Sequence, residues 1–156
     1  SNLNIAMCYD PKKSSSKSII SRLNKMAEDK KNVEYRDQVY YALGEVYFRD
    51  KNVDKACSQW EESVHLSTTN KQQKITSALR AADTYFSLLE KYEKAQMYYD
   101  TALAVMPKDY PNRANIESRQ KVLTNLVTDL RCVERWDSLI AMSMLSQEEL
   151  DRRINS

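Results

Sequence analysis

Small and hydrophobic residues recur along this chain at helical spacing, and the pattern repeats itself. Ala6, Gly44 and Ala82 each stand three residues before a tyrosine (Tyr9, Tyr47, Tyr85), and both series advance by 38. Further on, Ser18, Ala56 and Ala95 supply a second small residue at intervals of 38 and 39, and Met26, Val64 and Leu103 each follow by eight. A fixed period of this length marks a stack of supersecondary units. Each unit reads as two helices. A small residue in the first lets the second approach closely, and a small residue in the second admits the next unit. The tyrosine fills the angle between them.

This periodicity predicts helices over residues 2–9, 17–31, 34–50, 53–68, 72–88 and 92–106. Ser16 reads as the cap of the second, with Ile19, Ile20, Leu23 and Met26 inward. Asn32 and Asn70 stand where helices are expected to end, asparagine tolerating the left-handed conformation of a helix stop. Tyr47 precedes Ala56 by nine residues but Tyr85 precedes Ala95 by ten, which places an inserted residue around 88–91. Beyond the stiff connector Pro107-Lys108-Asp109-Tyr110-Pro111 a longer helix is expected over 112–145, with Ile116, Leu123, Leu126, Val127, Leu130, Val133 and Ile140 inward. Gln120 occupies the place of the next small residue, so this helix caps the array and opens no further hairpin. Its outer face carries Glu117, Arg119, Lys121, Asp129 and Arg131, and a capping box, Ser146-Gln147-Glu148-Glu149, starts a short terminal helix over 146–156. Residues 1–156 thus read as one all-α solenoid domain: a partial first repeat (1–33), a second (34–70), a third (71–107), the capping helix and the terminal helix.

These residues carry a family resemblance. Tyr40, Leu43, Gly44, Tyr47, Ala56, Trp60 and Val64, and again Ala82, Tyr85, Ala95, Tyr99, Ala102 and Pro107, resemble the tetratricopeptide repeat signature. The period of 38 departs from that family's usual 34. The surplus, about one helical turn or ~6 Å per unit, falls near 30–37 and 68–75 and leaves a HEAT-like or Sel1-like reading open.

Composition narrows the chemistry. One glycine and three prolines are too few for the turns of a sandwich or barrel. A net charge of +2, with Lys12-Lys13 and Lys30-Lys31 only local doublets, argues against nucleic acid and anionic membrane as partners. Gln38 and Thr76 recur at one place in successive units, yet nothing links them to bases. No apolar stretch is long enough to span a bilayer, no secretory signal is seen, and Ser1-Asn2 reads as an expression remnant. Cys8, Cys57 and Cys132 match no zinc or redox spacing and are expected as small buried residues. The single histidine, His65, has Ser63 and Ser67 two residues away, on other helical faces, and Glu61-Glu62 and Glu148-Glu149 read as solvated carboxylates. No enzyme activity, cofactor or metal is expected.

Binding is what remains. In stacked hairpins the first helix of each unit lines the concave side. With the small residues inward, that side would present Gln38, Tyr41, Glu45, Phe48 and Arg49, then Thr76, Leu79, Asp83 and Phe86. Tyr41, Phe48, Leu79 and Phe86 are expected as an exposed apolar patch for a protein or peptide partner, with Glu45 and Asp83 favouring basic or hydroxyl-rich groups. If the inter-repeat turn or the C-terminal helix covers them, the chain is instead a structural spacer within a longer array, without a groove of its own. Tyr41 and Glu45 stand where chaperone-binding members of the family carry clamp residues, which argues against a chaperone-tail receptor.

A closer resemblance is carried by DQVYYALGE at 37–45, YYDTAL at 98–103, LAVMPKDYPN at 103–112, LTNLVTDL at 123–130, DSL at 137–139 and MLS at 144–146. Over about 17–150 the chain resembles the SprE/PorW-type tetratricopeptide lipoproteins of gliding motility and type IX secretion. The resemblance implies a cell-envelope assembly scaffold on the periplasmic side of the outer membrane, anchored in the full-length protein through a lipid on a signal-region cysteine, which Cys8 is not. Oligomeric state stays open.

Overall fold

The computed structural model describes residues 2–12 and 15–155, without the side chains of Asn2 and Ile5. Three expectations lie outside the described residues: Ser1 as an expression remnant, Lys13 in its doublet, and the packing of Ile5. Helices α1 (Asn2–Met7) and α2 (Ser16–Glu28) form a first unit, α3 (Arg36–Arg49) and α4 (Val53–Leu66) the second, and α5 (Lys71–Ser87) and α6 (Tyr92–Val105) the third. Helix α7 (Arg113–Ile154) closes the stack. The chain is an all-α solenoid of helical hairpins with a long C-terminal helix, and no strand occurs among the described residues.

The small residues act where the repeat places them. Ala6, Ala42, Ala56, Ala82, Ala95 and Ala102 are buried, as is Gly44. A Cβ added at Gly44 would run into the indole of Trp60, which is fully buried. Two apolar clusters result. One joins α1, α2 and α3 around Leu23, Val39 and Leu43; the other joins α4 to α7 around Trp60, Tyr85, Tyr99 and Leu123. Tyr47 packs against both and ties them together. Full burial of each large side chain contributes about 1.5–3 kcal/mol.

The hairpin turns explain the change of spacing. After α3, Lys51 takes φ 62°, its N–H donates to Phe48 O at 3.0 Å and the Asn52 N–H to Tyr47 O at 2.9 Å. This is the six-to-one and five-to-two pairing of a Schellman stop, made by lysine where glycine is usual. After α5 the turn holds four residues, 88–91, with Glu90 at φ 51°, so the insertion sits where the spacing put it.

Several local expectations are corrected. Ser16 is the first helical residue of α2; Ser15 is the cap position and makes no side-chain cap bond. Ser18 is exposed, and α2 matches α4 by burial at an offset of 37, Leu23 with Trp60 and Ala27 with Val64, so the repeat in the first unit is shifted by one. Asn32 lies within a 3-10 segment, Lys30–Tyr35, that absorbs the surplus residues after α2. Asn70 starts a helix instead of ending one: its side chain accepts from the Gln73 N–H at 3.2 Å. The positive-φ asparagine is Asn112, which turns the chain into α7.

The largest difference is at the C-terminus. Helix α7 is continuous over 42 residues, and Ser146 lies inside it, its hydroxyl donating back to Met142 O at 3.0 Å. The expected short terminal helix is therefore part of α7. A capping box needs a break before it to act as a start, and no glycine or proline stands between Arg113 and Ile154. Only Leu123 and Val127 of α7 are buried. Ile116 and Leu126 are half-buried, whereas Leu130, Val133 and Ile140, expected inward, are exposed, because α6 is too short to reach them.

Candidate functional site

Helices α3, α5 and the start of α7 are successive first helices, and their side chains link them in that order. Arg80 of α5 pairs with Glu45 of α3 through Nε–Oε1 at 2.7 Å and Nη2–Oε2 at 3.3 Å. Arg119 of α7 pairs with Asp83 of α5 at 3.3 Å. Beneath, three helices are joined by a buried polar chain. Gln73 donates to the Ser77 hydroxyl (2.9 Å), which shares a hydrogen bond with Ser63 (2.7 Å), and Ser63 donates to the Asp37 carbonyl (2.7 Å). Ser67 donates to the Asp37 carboxylate at 3.1 Å. Each buried hydroxyl thus has a partner, which removes the 1–3 kcal/mol cost of burying it unmade.

Between α3 and α5 the expected groove is filled. Glu45 is buried, and the Arg80 guanidinium lies 4.5 Å over the Phe48 ring and 5.1 Å over Trp60. Phe48 packs on Trp60 with ring centroids 5.7 Å apart. Tyr41, Phe48 and Leu79 are half-buried against the core, so of the four large apolar groups expected to be exposed only Phe86 is, at 44%. Arg80 and Trp60 lie against Phe48. Burial, with the Glu45 carboxylate adding, raises the Tyr41 phenol above its ordinary pKa. Arg49 is turned to α1, donating to the carbonyls of Ala6 (3.3 Å) and Tyr9 (2.9 Å). Gln38 and Thr76 are half-buried, Thr76 donating to Gln72 O at 2.9 Å.

Between α5 and α7 the surface stays open. A cavity of about 500 Å³ is lined by Asp83, Phe86 and Ser87 of α5, Tyr99 of α6, and Ser118, Arg119, Val122 and Leu123 of α7. Phe86 and Val122, 44% and 67% exposed, form its apolar walls. Tyr99 is its floor: its hydroxyl donates to the Asp83 carboxylate, and burial together with that bond pushes the phenol well above its usual range. The Asp83–Arg119 pair sits at the mouth, so the cleft is apolar inside and charge-balanced at its rim.

Asp83 and Phe86 are the two predicted residues that line this cleft. Ser87, Tyr99, Ser118, Arg119, Val122 and Leu123 also line it and were not among the predicted site residues, nor was Arg80, which fills the space between α3 and α5. Arg119 stands four residues before the inward Leu123, hence on the same stripe of α7, and its long stem could have signalled a position at the edge of the buried face.

Cys8 and Cys132 are exposed, against the expectation of burial, because α1 ends before Cys8 and α7 carries Cys132 past its last buried residue. Cys57 is buried, and burial, with Glu61 and Asp54 adding, pushes its thiol up to about 11, so it stays protonated near neutral pH. Glu61 accepts from Tyr85 and from Lys94, a structural tie between α4, α5 and α6. Among the described residues no His, Cys, Asp and Glu side chains cluster to hold a metal, and no helix is long and apolar enough to cross a membrane.

The tetratricopeptide repeat family model matches residues 35–108, which spans α3 to α6. No curated protein matches the chain significantly.

Proposed function

We propose, from the match of residues 35–108 to the tetratricopeptide repeat family model, that the protein is a non-enzymatic scaffold that docks a segment of a protein partner along the concave side formed by α3, α5 and α7. The observation that carries this reading is the open, apolar cleft of about 500 Å³ between α5 and α7. It takes an apolar side chain between Phe86 and Val122, while Asp83 and Arg119 orient the partner's backbone or polar groups. Gln38, Tyr41, Glu45, Phe48, Arg49, Thr76 and Leu79 continue this side toward the N-terminus. There they serve as a rigid wall more than as free contacts, since Glu45 and Phe48 are engaged by Arg80.

The setting we propose rests on resemblance alone: an accessory component of gliding motility or type IX secretion, held on the periplasmic side of the outer membrane by a lipid on the full-length protein. The stretches DQVYYALGE and LAVMPKDYPN support that reading.

Proteins captured from the native organism by the tagged full-length protein test both parts. Phe86→Glu with Val122→Glu is expected to abolish capture of a specific envelope partner while the helical circular dichroism is unchanged. Unaltered capture would refute the cleft, and recovery of the protein in the cytoplasmic fraction would refute the setting.

A further inference from the structure

Beyond Val127, helix α7 continues for 27 residues to Ile154 with every side chain exposed. Arg131 is tied to Glu93 of α6 at 2.7 Å, and beyond it runs ~35 Å of helix with every side chain exposed. Val133, Trp136, Ile140, Ser143, Gln147, Leu150 and Ile154 follow one another in alternating steps of three and four. This is the heptad spacing of a coiled-coil seam. The five apolar members are between 52% and 78% exposed, whereas Met142 and Leu145 lie on the opposite face.

The occupant of that seam is constrained by the residues on it. The seam suits a single helix with large and small residues in complementary order. The same segment of a second copy, run antiparallel, supplies one. It sets Val133 against Leu150, Trp136 against Gln147 and Ile140 against Ser143, and each layer then occurs twice by symmetry. Every layer joins a bulky side chain to a smaller or flexible one, as close packing requires. A parallel pair would set Trp136 against itself and Ser143 against itself, one layer crowded and one hollow.

From Val133 to Leu150 the seam is ~27 Å long, and on a helix ~10–12 Å thick it buries about 500 Å² per copy. The total of about 1,000 Å² is the lower bound of specific interfaces. We propose that the protein self-associates through an antiparallel pairing of residues 133–150 of α7, in a dimer that dissociates on dilution.

Sedimentation velocity of the protein between about 5 and 500 µM tests this. The mass is expected to rise with concentration from 18.2 kDa to twice that value and no further. Ile140→Glu, at an exposed position, is expected to stay monomeric throughout with its helical dichroism intact. Ser143→Leu, which faces Ile140 only in the antiparallel register, is expected to lower the midpoint concentration at least ten-fold. A monomer at all concentrations, a trimer or larger species, or a dimer indifferent to Ile140→Glu would overturn the proposal. So would a monomer that sediments with phosphatidylglycerol vesicles and loses them on Ile140→Glu, because the face would then belong to lipid. An unchanged midpoint for Ser143→Leu would overturn the antiparallel register.

Discussion

Gly44 is the residue on which the packing of the second unit turns. Its missing side chain is filled by the Trp60 indole, and Trp60 in turn supports Phe48 and the Arg80 guanidinium. Gly44→Ala forces the indole to move in a core with no spare room, at a cost of about 1–3 kcal/mol. Urea unfolding of the variant, compared with wild type, should read that loss as a lower midpoint at unchanged slope. The need for a small residue here was legible from the repeat alone. The exposure of Cys8 and Cys132 was not, because it depends on where neighbouring helices stop, and cysteine chemistry says nothing of that.

At the scale of elements, the two hairpin stops carry strain that can be relieved. Lys51 and Glu90 hold positive φ, where an L side chain crowds its own backbone. Replacing Lys51 by glycine, or Glu90 by glycine, should stabilise the fold by about 0.5–1 kcal/mol, somewhat less than the strain because glycine also frees the unfolded chain. Thermal melts of the two variants check it, and a fall in Tm would show that the lysine or glutamate stem contributes contacts instead. The hairpins and the extra residue between α5 and α6 could be read from spacing, since spacing records how many residues a turn must hold. The capping box at Ser146 misled because a local motif cannot start a helix that is already running. The cleft was half legible for a similar reason. Asp83 and Phe86 follow from the face of α5, but Tyr99, Arg119 and Val122 reach it from α6 and α7 through packing between elements distant in sequence.

For the whole molecule, stability is concentrated before residue 128. Deleting residues 129–156 removes no buried side chain, so at concentrations where the chain is monomeric Tm should shift by no more than about 2 °C, the effect of a surface change. Leu123→Ala, by contrast, opens a cavity between α6 and α7 and should cost about 2–5 kcal/mol. Calorimetry on the two variants separates a closing segment that stabilises the stack from a projecting one that does not. A truncated chain that melted as early as Leu123→Ala would contradict this division. The buried chain of Gln73, Ser77, Ser63 and Asp37 has a consequence for descent as well as for stability. At the matching places the third unit has Ala102 for Ser63, Met106 for Ser67 and Ile75 for Asp37, all buried and apolar. The seam between the second and third hairpins is wired with hydroxyls, whereas these matching places of the third unit are apolar. Copying or shuffling a unit would face polar groups with oil, so the two hairpins can no longer trade places, and an array of this kind grows by duplication only where both copies also inherit their neighbour.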